Sequence, residues 1–201
     1  MSNIQQKAVY SIHEYRLVVP IAQEMVNTIK MLRKTLHAKS GVVLPFQLQP
    51  SLTLLRFHAF EQMEAKVMEV IQRSVLETKP FLVELENFAA YPSHTIYINV
   101  RTRSPFNELC KSLKKWKRHF NIPQHEPHFI NEPHLILAQM LQQKQFSSMW
   151  RICENSEFTG KFIADHLMLY KRGAANKRYE VFRRMDFMQL PMNLKQSTLF
   201  S

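Results

Sequence analysis

Apolar and polar positions along the chain fall into alternating runs of two periods. Residues 15–19 form a short apolar-rich run closed by Pro20, the pattern of a strand. Ile21, Met25, Ile29, Leu32 and Leu36 then recur at three- and four-residue spacing, which predicts an amphipathic helix ending near Ser40-Gly41. Pro45 and Pro50 bracket a loop, and residues 51–57 read as the next strand. Met63, Val67, Val70, Ile71 and Val75 share one face of a second helix, stopped by Pro80. Residues 81–88 and 95–100 look like paired strands, with Tyr91-Pro92-Ser93-His94 as the loop between them.

The pattern then starts again. Phe106, Leu109, Cys110, Leu113, Trp116 and Phe120 make one helical face, and Lys111, Lys114, Lys115, Lys117 and Arg118 occupy the other. A proline-punctuated loop spans residues 121–133, and residues 134–138 form a strand. A helix around residues 142–152 precedes strands near 158–165, 167–170 and 178–187, and residues 188–201 read as a loose polar tail. Two segments echo each other: Pro50-Ser51-Leu52-Thr53-Leu54 and Pro133-His134-Leu135-Ile136-Leu137. Each opens a strand that leads into a helix, so the repeated order suggests two related lobes facing each other.

Composition narrows the function classes. With 201 residues and 45% apolar content, the chain is long enough for one domain with a sizeable core. No run reaches the roughly 18 apolar residues of a membrane span. The start, Met-Ser-Asn-Ile-Gln-Gln-Lys, lacks the apolar stretch of a secretory signal. The expectation is a soluble cytoplasmic protein with no membrane partner. Cys110 and Cys153 have no CxxC or ligand spacing, and both fall on helical faces, where a small buried side chain explains them.

The formal net charge of +11 favours polyanionic partners such as nucleic acid or nucleotides. Much of the excess sits between Lys111 and Arg118, and in Lys171, Arg172, Lys177, Arg178, Arg183 and Arg184. Contact with RNA through Lys111, Lys114, Lys115 and Arg118 is one expectation; a solvated helix face is the other. The three glycines are scattered singly, so neither GxxxxGK[ST] nor GxGxxG occurs. ATPase, kinase and dinucleotide-dependent oxidoreductase readings are therefore poor.

On a strand, residues i and i+2 face the same side. A His-x-Thr tripeptide there aims an imidazole and a hydroxyl at one point. Pro50-Ser51-Leu52-Thr53 and Pro133-His134-Leu135-Ile136 resemble the paired His-x-Thr/Ser motifs of the two-histidine phosphoesterases. That family includes 2'-5' RNA ligase-like proteins and cyclic nucleotide phosphodiesterases. The resemblance extends from His13-Glu14-Tyr15 to Phe187. It takes in Pro127-His128-Phe129-Ile130-Asn131-Glu132-Pro133-His134 and Phe158-Thr159-Gly160-Lys161-Phe162-Ile163-Ala164-Asp165, which look like a bacterial branch.

It implies an α+β fold filling residues 1–201, with two pseudo-symmetric lobes. Each lobe is an antiparallel-type sheet with helices on its outer face, and a cleft lies between them. The sequence-order halves, 13–100 and 105–187, are free to exchange strands. It also implies two imidazoles around a phosphate, one taking a proton from water and the other giving one to the leaving oxygen. No metal and no cofactor enter that scheme.

This chain departs from the motif twice. Ser51 stands where the first imidazole belongs, and Ile136 where the second hydroxyl belongs. Thr53 and His134 remain, as phosphate donor and acid–base group, with Ser51 as a further hydrogen-bond donor. Losing one acid–base group removes a factor of about 10² to 10⁴ in rate. Three readings follow: an impaired member that still binds a nucleotide, cyclic phosphate or RNA end; an active phosphodiesterase using His134, with His128 as its helper; and a non-enzymatic module with a basic helix.

Parity places Ser51, Thr53, Leu55 and Phe57 on one face, with Arg56 and His58 on the other unless a bulge intervenes. Tyr91 and Tyr97 are the candidates for stacking a base. His125, Glu126, His128, Glu132 and His134 are ligand types, but Pro127 and Pro133 deny them a helical metal-binding presentation.

Overall fold

Burial alternates over the first half of β1 (Ile12–Pro20) and the second half of β2 (Ser51–Phe60), while residues 17–19 and 52–55 are buried on both faces. Tyr15, Leu17 and Val19 and, on β2, Leu52, Leu55 and Phe57 are almost wholly buried. The computed structural model describes residues 11–42, 49–92, 94–173 and 178–188. Its other elements are α1 (Gln23–Ser40), α2 (Glu64–Leu76), β3 (Phe81–Tyr91), β4 (Thr95–Val100), α3 (Ser104–Lys114), β5 (His128–Phe129), β6 (His134–Ala138), α4 (Gln143–Cys153), β7 (Thr159–Ala164), β8 (His166–Gly173) and β9 (Glu180–Asp186).

The fold is α+β. A five-stranded sheet runs in the order β5-β2-β1-β8-β9 and a four-stranded sheet in the order β6-β4-β3-β7. Every pairing within them is antiparallel. Helices cross between the lobes. Phe57 on the five-stranded sheet packs on Phe120, just beyond α3, with ring centroids 5.0 Å apart, and α2 lies against α3. By contrast α1, which follows β1, packs against α4 and β7 of the other sheet. Gly160 on β7 leaves room for the Met25 side chain of α1: a Cβ there would stand 2.6 Å from Met25 Cε, and that flexible end would have to move.

The first helix stops where its sequence says it should. Gly41 takes φ +69 and returns its N–H to the His37 oxygen at 2.9 Å, the left-handed cap that glycine adopts without a Cβ penalty. No helix among the described residues is long and apolar enough to cross a membrane.

Three local expectations need correction. The third helix ends at Lys114, and Trp116 and Phe120 lie beyond it around a 3-10 turn, Lys117–His119. Trp116 and Phe120 donate to the Leu113 and Lys117 oxygens, three- and not four-residue bonds that tighten the chain. Phe120 is still fully buried. The stretch from 121 to 133 is not all loop, because β5 pairs His128 with Arg56 and Phe129 with Leu55. Tyr91 belongs to β3 and pairs with Thr95, so the turn is shorter than expected. Pro45, Ser93 and the tail beyond Met188 lie outside the described residues.

Candidate functional site

The site's layout depends on one bulge. Leu17 pairs with Leu55 and Val18 with Thr53, so Leu54 is an extra residue on β2. Its side chain stays in the core with Leu52 and Leu55, and its oxygen accepts from Ile130 N–H at 2.8 Å. A bulge of this kind shifts strand parity by one. Arg56 and His58 are thereby turned onto the face of Ser51 and Thr53, while Leu55 and Phe57 go to the core. The expected parity was wrong at these four residues.

Cross-strand register then lays out this face in rows. Thr53 stands beside Val18 and Met168; His128, Arg56, Arg16 and Tyr170 form the next row; His58, Glu14 and Arg172 form the third. Arg16 is half-buried and reaches along β2. Its Nε donates to Thr53 Oγ1 at 3.0 Å and its Nη2 to Ser51 Oγ at 3.2 Å. Burial, and then the neighbouring charge of Arg56, lower its proton affinity. Sequence reasoning missed Arg16. The available signal was its alternation with buried Tyr15 and Leu17, which directs it away from the core.

The second motif occupies β6 at the edge of the other sheet. His134 pairs with Asn99 and Ile136 with Tyr97, which puts both side chains on one face with Tyr97. The His134 ring lies 4.7 Å from that of Tyr97 and 5.4 Å from that of Tyr91. Its Nδ1 is 3.2 Å from the Glu132 oxygen. A carbonyl only accepts, so this bond places the proton on Nδ1 and leaves Nε2 as the basic nitrogen. A cavity of about 60 Å³ adjoins the ring, lined by Tyr91, Tyr97, Asn99, Arg103, Glu132 and His134 among others. Tyr97 is pushed up by burial and by the nearby Tyr91 and Glu132.

Strands β2 and β6 approach each other across the two sheets, with Cα atoms within 8 Å. The two motif strands are therefore neighbours in space, although 80-odd positions separate them along the chain. Ser51 and Thr53 are joined by Arg16; His134 is gathered with Tyr91 and Tyr97; His128 stands apart from His134, in the row of Arg56.

The third row is electrostatically dense. Glu14 is half-buried, which would raise its pKa, but hydrogen bonds from Tyr179 and Arg172 outweigh this and hold it low. Tyr179 donates to Glu14 Oε1 at 2.5 Å and is pushed up to about 12, by burial and by that bond. His58 is lowered, first by burial and then by His125, whose ring is 4.2 Å away. No group of three or more His, Cys, Asp or Glu among the described residues is placed to hold a metal ion.

The basic helix face lies elsewhere. Lys111, Lys115 and Arg118 are exposed on the side of Phe57 and Phe120, behind the sheet relative to Thr53. Lys114 donates to Asn131 Oδ1 at 2.8 Å and sits over the Phe129 ring.

Comparison with known proteins agrees with this fold. The family model described as the 2'-5' RNA ligase superfamily matches residues 19–176, and the chain belongs to that superfamily. Over 103 residues it is 30% identical to the Oceanobacillus iheyensis protein named "Putative phosphoesterase OB1230". The aligned stretch spans 50% of this chain and 58% of that relative. Among solved structures, E. coli LigT complexed with 3'-AMP is similar, with a TM-score of 0.63 at 15% identity, covering 89% of this chain and 99% of LigT. TT0787 of Thermus thermophilus has a TM-score of 0.60 at 15% identity, covering 87% of this chain and 97% of its own. At such identities the likeness is one of fold. LigT has also been crystallised with phosphate, ATP and NADP+.

Proposed function

We propose that this chain binds a phosphate ester, a nucleotide or RNA end, between its two motif strands, and that its acid–base machinery is incomplete. The observation that carries this reading is Arg16 bonded to both Thr53 and Ser51. A fixed guanidinium beside two hydroxyls offers charge and oriented donors to a phosphoryl oxygen. Serine at position 51 cannot act as a general base near neutral pH, and Ile136 supplies no donor. His134, proton on Nδ1 and Nε2 open, serves as a single acceptor or donor. Tyr91 and Tyr97 provide ring faces for a base. The cations of α3, on the other side of the sheet, belong to a separate surface that RNA or an acidic protein would touch. Two free, buried cysteines accord with a reducing, cytoplasmic location.

Calorimetry with 3'-AMP and 2',3'-cyclic AMP tests the reading. Saturable binding that weakens at least tenfold in Thr53→Val, with turnover of the cyclic nucleotide at background, is the expected result. No saturable binding at millimolar ligand would overturn it.

A second reading has its own support in the free Nε2 of His134: an active cyclic phosphodiesterase with His134 as sole acid–base group. Turnover abolished by His134→Ala would establish it; a rate unchanged by that substitution would exclude it.

A further inference from the structure

Directly opposed strand residues have their Cβ atoms about 4.5–5.5 Å apart, and like charges in that relation are destabilising. Arg16 and Arg56 stand in that relation, and His128 flanks Arg56 on its other side. Three adjacent positions of one row thus hold two arginines and a histidine, and the row runs on through Tyr170 to Val181. The nearest carboxylate on this face, Glu14, is engaged by Arg172 and Tyr179. Arg56 and His128 are both exposed, and neither has a hydrogen bond or ion-pair partner among the described residues. Arg16, in contrast, is turned along the strand to Ser51 and Thr53.

The arrangement is costly and specific. Without the extra residue Leu54, Arg56 would point into the core, so the bulge is what delivers its charge to this face. A local feature that opposes stability without an internal partner is the kind that serves a site. We infer that Arg56 and His128 form a second anion subsite beside the Arg16–Ser51–Thr53 site, so that the preferred ligand carries two phosphoryl groups.

Because the bulge absorbs one residue, Thr53 and Arg56 stand opposite Val18 and Arg16, two register positions apart, about 7 Å along the sheet at roughly 3.3 Å per residue. That span suits phosphoryl groups on opposite sides of one ribose, or on successive ribose units, better than a single phosphate monoester. The first phosphoryl group meets Arg16, Thr53 and Ser51; the second accepts hydrogen bonds from the Arg56 guanidinium and the His128 imidazole. Only non-covalent contacts are involved.

This inference rests on the proposed phosphate-ester site, and the experiment separates the two. Affinities for 3'-AMP and for adenosine 3',5'-bisphosphate are measured by calorimetry on the full chain, in wild type, Arg56→Gln and His128→Gln. Both substitutions are at exposed positions, and circular dichroism verifies the fold. The bisphosphate should bind wild type about tenfold or more tighter than 3'-AMP, the scale of one charge-assisted hydrogen bond. Arg56→Gln should remove most of that advantage and leave the affinity for 3'-AMP within about twofold, with His128→Gln acting in the same direction. Equal wild-type affinities for the two ligands, or a bisphosphate advantage that survives both substitutions, would overturn the second subsite and leave the first intact. Failure of wild type to bind either ligand would overturn both.

Discussion

Arg33 on α1 donates through Nη2 to the main-chain oxygen of Ile136, 2.8 Å away. A helix that follows β1 thereby holds the strand that carries His134. Because β6 is an edge strand, its outer carbonyls have no strand partner, and a guanidinium fills one such position. The bond is not free of cost, since Arg33 Nε is buried without a partner.

Removing Arg33 has two opposed effects: it strands the Ile136 oxygen and relieves the orphaned Nε. Arg33→Met should therefore destabilise by only about 1.5 kcal/mol, the low end for a lost hydrogen bond to a charged group. Urea unfolding measures it. The imidazole signals of His134 should shift in the same variant; unchanged signals would mean that the helix does not position the strand.

Restoring the motif tests how far its loss extends. Ser51→His with Ile136→Thr should raise hydrolysis of 2',3'-cyclic nucleotides by about 10² or more, the usual worth of an acid–base group. Product formation by chromatography is the readout. A folded double variant at background would locate further lesions in the cleft, with Arg16 the first suspect because its guanidinium already engages both first-strand positions.

Acid should weaken the fold in two windows. His58, lowered by burial and by His125, takes up its proton at lower pH in the folded chain than in the unfolded one, which protonates as pH falls through 6.5. Stability present above that value is lost below it. Glu14, held below 4.5 by Tyr179 and Arg172 against the effect of burial, contributes stability above 4.5 that is lost as pH falls through its folded value. In urea midpoints measured against pH, His58→Gln should flatten the upper window and, because the His58 charge helps to lower Glu14, change the lower one only slightly. Arg172→Met should lower stability at neutral pH and narrow its gap to wild type below about pH 4.5.

Both thiols should resist modification while the chain is folded. Burial pushes Cys153 up to about 11 and raises Cys110 as well, and each is about 1% exposed. An aromatic disulfide reagent at pH 8 should find neither in the native protein and both in denaturant. Rapid native labelling of either would contradict the packing.

The periodic part of this structure was readable from the residues alone. Ile21, Met25, Ile29 and Leu36 marked α1, and Gly41 its end; the echo between Ser51-Leu52-Thr53 and His134-Leu135-Ile136 marked the motif strands. What parity could not supply was the bulge at Leu54. A bulge is a mismatch between two strands, and a run of Leu54 and Leu55 looks the same with or without it. The same reason hid β5, whose two residues form a strand only because Leu55 and Arg56 lie beside them. Arg16 carried no motif, and its meaning came from the hydroxyls of another strand.

The central pairing of the larger sheet joins β1 to β8, Glu14 against Arg172. Until β8 has been synthesised β1 has one flank open, and until β5 has been synthesised so does β2. Closing such distant segments is entropically slow. Nascent chains therefore expose a hydrogen-bonding strand edge from the emergence of β1 until that of β8, a state in which a chaperone's protection would count more than the stability of the finished protein.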